Sequence, residues 1–220
     1  MSEGRLIIGT KRYSSWSLRG WLAVHMAGLQ VEEVVIPLHS AGAFGTPGIA
    51  AASPNGLVPC LEHQGAVVWE SLAIAEYCAE LKPSLWPADR VARAHARSIA
   101  SEMHAGFGGL RRAMFFNAGR TFPGRGQTPE GMADLAHLQR IWGAALQRYR
   151  GPFLFGAAFT LADAMFAPVC SRLRTWGPDL APQAQGYVNA VLAHPLLLRW
   201  YAEALAEPLA WQLDKYENPA

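Results

Sequence analysis

The chain has 220 residues, of which 51% are hydrophobic, with 15 prolines and a formal net charge of +2. That length and apolar content suit one large domain or two modest ones. A near-balanced charge without a basic cluster excludes a nucleic-acid surface, and no apolar run reaches membrane-spanning length before Gly, Pro, Arg or His breaks it.

Met1-Ser2-Glu3-Gly4-Arg5 carries no secretory pattern and runs into a predicted strand at Leu6-Ile7-Ile8. The three cysteines, Cys60, Cys78 and Cys170, lack CxxC spacing. Both features point to a reduced, cytoplasmic setting. A helix is predicted over 16–28, with Gly28 as its C-cap, then a strand over 31–38. The Gly- and Ala-rich stretch 40–53 reads as a loop or irregular helix. Segments 57–62 and 66–69 read as a hairpin around Gln64-Gly65. Residues 71–81 form a helical pattern in which Ile74, Tyr77, Cys78 and Leu81 share a face. The order β-α-β then β-β-α implies a small mixed sheet with helices packed on it, over 1–82. Two prolines make 83–87 a linker. Beyond it strand signals vanish, and 88–118, 129–150, 160–176 and 181–206 read as helices of a second, all-α domain over 88–220.

The chemistry concentrates in the first domain. Pro59, between Val58 and Cys60, cannot donate to a sheet ladder and belongs at a strand start or edge. A cis peptide there is expected, turning the Val58 backbone outward to pair with a ligand. Glu70-Ser71 opens a helix, whose N–H groups and dipole attract a carboxylate. An extended-backbone clamp and an anion site one strand apart suit a small peptide with a free carboxylate. The first βα turn holds Ser14, Ser15 and Ser17, and no cysteine precedes Cys60. This turn therefore supplies no thiol nucleophile of its own. The seven histidines show no HExxH or similar spacing, so no metal site is expected.

Tyr13-Ser14-Ser15-Trp16-Ser17-Leu18-Arg19, Val58-Pro59, Glu70-Ser71 and Thr160-Leu161-Ala162-Asp163, in this order, resemble the cytosolic glutathione S-transferases over nearly the whole chain. The closer likeness is to zeta-like, serine-type enzymes, in particular a bacterial group carrying Ser-Ser-Trp-Ser-Leu-Arg. The resemblance implies a thioredoxin-like α/β domain followed by an all-α domain. It implies glutathione as co-substrate, a small electrophile as second substrate, and a homodimer. Ser14 would then activate the thiol, with Ser15 and Tyr13 as alternatives. Val58 and Pro59 would hold the peptide backbone, and Glu70 and Ser71 the γ-glutamyl end. Gly56 and Leu57 stand where many relatives carry Lys, Arg or Gln for the glycyl carboxylate, so that end is held by other groups, such as His39 or Lys11, or held weakly. The likeness also directs His104, Phe107, Arg111 and Phe115 at the electrophile. Gly106, Gly108 and Gly109 imply a close backbone approach to another chain or a ligand. Asp163 would act in a capping box. Two other activities fit the same residues: a glutathione-dependent isomerase of the maleylacetoacetate type, with Arg111 and Arg112 binding an acidic substrate, or a noncatalytic glutathione-binding module.

Overall fold

A computed structural model describes residues 2–39 and 46–219. Its first half contains β1 (Gly4–Gly9), α1 (Ser15–Ala27), β2 (Glu32–Ile36), α2 (Pro47–Ala52), β3 (Cys60–His63), β4 (Ala66–Trp69) and α3 (Ser71–Leu81). The strands form one mixed sheet in the order β2-β1-β3-β4. The central β1 is parallel to β2 and antiparallel to β3, with Ile7 opposite both Val34 and Cys60. Alternation along the strands sorts the side chains. Leu6, Ile8 and Leu61 join the main core with Leu18, Trp21 and Leu22 of α1 and Ile74 of α3. Ile7 and Cys60 point the other way and pack on Ile49 of α2. Positions 40–45 of the predicted irregular stretch lie outside the described residues.

Local sequence explains the junctions. Gly28 ends α1 with φ 82°, its N–H donating to the carbonyls of Val24 and His25. Gln64 (φ 48°) and Gly65 (φ 86°) join β3 to β4 in a two-residue turn of the kind that matches strand twist. The Val58–Pro59 peptide is cis. A Cβ on Gly20 would come within 2.7 Å of the Pro59 ring, so the missing side chain lets α1 seat against Pro59.

The second half is helical: α4 (Arg90–Ala105), α5 (Gly108–Ala113), α6 (Pro129–Tyr149), α7 (Leu161–Trp176), α8 (Pro182–Leu192), α9 (Pro195–Ala206) and α10 (Asp214–Glu217), with 3₁₀ turns at Pro83–Leu85 and Leu209–Trp211. The helix predicted over 88–118 is two helices, because Phe107 adopts a left-handed conformation (φ 62°) between α4 and α5. Of the neighbouring glycines, Gly109 serves helix packing: a Cβ there would lie 2.7 Å from the Glu130 carbonyl, so its absence lets α5 close on the first turn of α6. The helix predicted over 181–206 also divides, with Pro195 in the first turn of α9 and the His194 ring accepting the Leu196 N–H. α10 was not anticipated from sequence.

α7 runs through the middle of this half with almost every residue buried. Asp163 anchors its start: Oδ2 accepts the Thr160 N–H (2.8 Å) and hydroxyl (2.9 Å), while Oδ1 accepts the Leu154 N–H (3.0 Å) and the Tyr187 hydroxyl (3.2 Å). Among the described residues no helix is long and apolar enough to cross a membrane.

Candidate active site

The cis Val58–Pro59 loop, the β4–α3 junction and the start of α1 meet α4, α5, α7 and α10 around a cavity of about 490 Å³. Of the residues singled out from sequence, Tyr13, Ser14, Ser15, Val58, Pro59, Glu70, His104, Arg111 and Phe115 line it. Val58 forms no backbone hydrogen bond with any described residue, so its N–H and C=O are available to a ligand. Glu70 sits in a left-handed region (φ 71°) that turns the chain from β4 into α3. Ser71 follows, fully buried and behind the residues that line the cavity, its hydroxyl without a partner in the first turn of α3. A donor left unpaired beside a helix N-terminus is costly unless a ligand carboxylate completes it.

Phe107 is not part of the wall. Its ring is buried in the core and stacks on His137, with centroids 5.8 Å apart. Lys11 and His39 do not line the cavity either. The buried Lys11 ammonium is held by Glu33 (2.5 Å) and Glu203, while His39 is exposed. Cys60, Cys78 and Cys170 are all buried, and burial pushes each thiol up, away from reactivity.

The three hydroxyls at the α1 end differ in their partners. The Tyr13 hydroxyl donates to Glu217 Oε1 (2.6 Å), and burial, reinforced by that carboxylate, pushes it up to about 12. Ser14 is the N-cap of α1: its Oγ accepts the Ser17 N–H (3.2 Å) and donates to Ser17 Oγ (2.7 Å). Ser15 Oγ accepts from Arg172 Nη2 at 3.2 Å.

Arg172, on α7, was missed from sequence, although it directly follows the largely apolar run Met165-Phe166-Ala167-Pro168-Val169-Cys170-Ser171. It belongs to a group of three arginines. Arg19 is fully buried, donates through Nε to the Met165 carbonyl (2.9 Å) and lies 4.7 Å over the Trp16 ring. Arg111 covers Trp16 at 4.8 Å and donates to the carbonyls of Gly106 (2.9 Å), Met103 and His104. No ion pair within 4 Å joins any of the three to a described carboxylate. His104 lies 3.7 Å from Glu70 and edge-on to Trp16; burial, then Arg19 and Arg111, hold it below its ordinary range despite that carboxylate.

Residues 13–81 match the family model of the glutathione S-transferase N-terminal domain, and residues 92–203 that of its C-terminal domain. The chain belongs to the glutathione S-transferase family. Maleylacetoacetate isomerase of Rhizobium meliloti is 31% identical over 184 residues, covering 76% of this chain and 81% of the relative. The probable maleylacetoacetate isomerase of Caenorhabditis elegans is 27% identical over 203 residues, covering 83% and 85%. Among solved structures, a glutathione transferase homologue from Burkholderia with bound glutathione has TM-score 0.69 at 23% identity, covering 94% of this chain and 100% of that one. The holo structure of maleyl pyruvate isomerase, a bacterial zeta-class glutathione S-transferase, has TM-score 0.70 at 22% identity, with 93% and 99% covered. The expected glutathione transferase fold, a thioredoxin-like α/β domain followed by an all-helical one, is therefore correct.

Proposed function

We propose that this protein is a serine-type glutathione transferase that activates the glutathione thiol for attack on a small electrophile. The observation that carries this reading is the convergence of Ser14, Ser15, Val58, Pro59 and Glu70 on one cavity. The free Val58 backbone would pair with the cysteinyl unit, the Glu70 carboxylate with the γ-glutamyl ammonium, and the unpartnered Ser71 hydroxyl with its carboxylate. A free thiol with a pKa near ~8.5 is only slightly ionised at neutral pH. A serine hydroxyl and the α1 N-terminus lower that value by stabilising the thiolate, and the cavity holds the electrophile against it. In this reading 1–82 binds glutathione, 88–220 binds the acceptor, and the enzyme works in the cytoplasm as a homodimer.

The arginines favour a second reading of the same site. Arg111 and Arg172 line the cavity and Arg19 lies behind Trp16, none of them with an ion-pair partner, a setting that attracts an acceptor carrying carboxylates. Reversible addition of the thiolate to a conjugated, carboxylate-bearing acceptor would permit cis–trans isomerisation and regenerate glutathione, in line with the names of the curated relatives.

Calorimetric titration with glutathione, followed by a panel of neutral electrophiles and conjugated cis-dicarbonyl acids, tests both. Binding with a stable thioether product supports the transferase. A rearranged acid with no net glutathione consumption supports the isomerase. No binding of glutathione overturns both.

A further inference from the structure

The hydroxyl that meets the thiol can be narrowed by following where each proton goes. Tyr13 gives its proton to Glu217, and Ser14 Oγ is already engaged as the α1 N-cap, accepting the Ser17 N–H and sharing a hydroxyl–hydroxyl bond with Ser17. Ser15 Oγ only accepts, from Arg172, and no described group accepts its proton. Ser15 lines the cavity, so its O–H is left for whatever occupies it. Arg172 lines the cavity too. It is 6% exposed, and its Nε and Nη1 have no partner. A guanidinium buried in this way without a carboxylate lacks a counter-charge.

Building on the glutathione-dependent reading above, we propose that Ser15 donates the hydrogen bond that holds the thiolate, and that Arg172 is the positioning residue that fixes Ser15 and supplies the counter-charge. Accepting a bond from a cation polarises the Ser15 O–H and strengthens its donation. The positive charge, in a site of low dielectric, favours the ionised sulfur. The S–H proton leaves to water, Ser15 keeps its own, and no covalent bond to the protein forms.

The other charged and titratable groups around the pair are Glu70, Tyr13 and Tyr216 on the rim, His104 on α4, Arg111 on α5 with Asp134 of α6 nearby, and Arg19 behind Trp16. Burial and Arg111 together lower Arg172 to about 9, so it is still cationic at neutral pH. Glu70 is paired toward His104 and opposes none of the three arginines within ion-pair distance.

The test is the ultraviolet thiolate absorbance of bound glutathione as a function of pH, with binding followed by calorimetry. In the wild type the bound thiol is expected about two units below ~8.5. Ser15→Ala and Arg172→Met should each raise it by about one unit or more, roughly a threefold or greater loss of thiolate at neutral pH. Arg172→Lys should restore part of the shift, and the double variant should lose no more than either single one. Should Arg172→Met fail to fold, Ser15→Ala and Arg172→Lys give the same answer. Three results overturn the proposal: an unshifted thiol in the wild type, a larger effect from Ser14→Ala or Tyr216→Phe than from Ser15→Ala, or an Arg172→Met enzyme whose thiol is unmoved while KM for acidic acceptors rises. Absence of glutathione binding to the wild type is a separate failure, and it removes the functional reading together with this one.

Discussion

The Tyr13 hydroxyl reaches across the cleft to donate to the Glu217 carboxylate at 2.6 Å. Around that contact, Arg12 Nε donates to Glu217 (2.8 Å), the Asn117 amide donates to the Tyr216 carbonyl (2.7 Å), and the Leu213 N–H donates to the Tyr13 oxygen (3.2 Å). Tyr216 in turn packs on the rings of Tyr13 and Phe115. Tyr13 is therefore bound into the attachment of α10, the element that supplies one wall of the cavity.

Tyr13→Phe should loosen that wall without altering thiol activation. The expected result is faster limited proteolysis after Leu213, a rise in acceptor KM, and a bound-thiol pKa equal to the wild type. A thiol shifted upward in this variant would return the activating role to Tyr13.

Glu33 should make the protein acid-sensitive. Burial alone would raise its carboxyl, but bonds from His25 and Lys11 outweigh it and hold the group at about 2. A folded value below the unfolded one stabilises above the unfolded pKa, and the contribution disappears as pH falls through about 2. Glu33→Gln should cost up to about 3 kcal/mol at neutral pH and progressively less in acid. Equal losses in Tm at neutral and acid pH would contradict this account.

Gly20→Ala should act on glutathione affinity through packing. The new methyl would meet the Pro59 ring at 2.7 Å and push the Val58–Pro59 loop off α1. A weaker glutathione Kd with little change in chemistry at saturation is expected, since a misplaced clamp loses binding before it loses catalysis. An unchanged Kd would mean the loop does not hold the ligand.

Asp163→Ala should unfold rather than inactivate. It strands the buried N–H groups of Leu154 and Thr160 and the Tyr187 hydroxyl, a loss of about 2–4 kcal/mol. Chemical denaturation should show that loss, while turnover of the folded fraction stays near that of the wild type. A large fall in turnover at full folding would give Asp163 a part in chemistry.

What the sequence disclosed was punctuation and periodicity. Gly28 marks a helix end, Gln64-Gly65 a hairpin, and Pro59 a point where a ladder cannot continue, because each acts through its own backbone. The junctions that escaped depend on neighbours. Phe107 is an unlikely residue for a left-handed bend, and it is held there by burial against His137. His194 ends one helix and caps the next through its own ring. The site was legible where a motif lay in one segment, as at Val58-Pro59 and Glu70-Ser71. It was illegible where partners were far apart in sequence. Arg172 meets Ser15 across 157 positions, and Lys11 is engaged by Glu203 across 192. No local pattern records such pairings.

Trp16 carries a guanidinium of α1 against its ring and another from α5, with the His104 edge at its side. The indole thus acts as a rivet between the sheet half and the helical half. Prying them apart would unstack the Arg111 cation–π contact, worth about 1–2 kcal/mol, while the Arg19 contact stays within α1. Any widening of the cleft therefore has to break this contact, and admission favours what can slide in beside the ring. Trp16 emission, quenched or shifted by an arriving anion, would serve as an intrinsic gauge of occupancy.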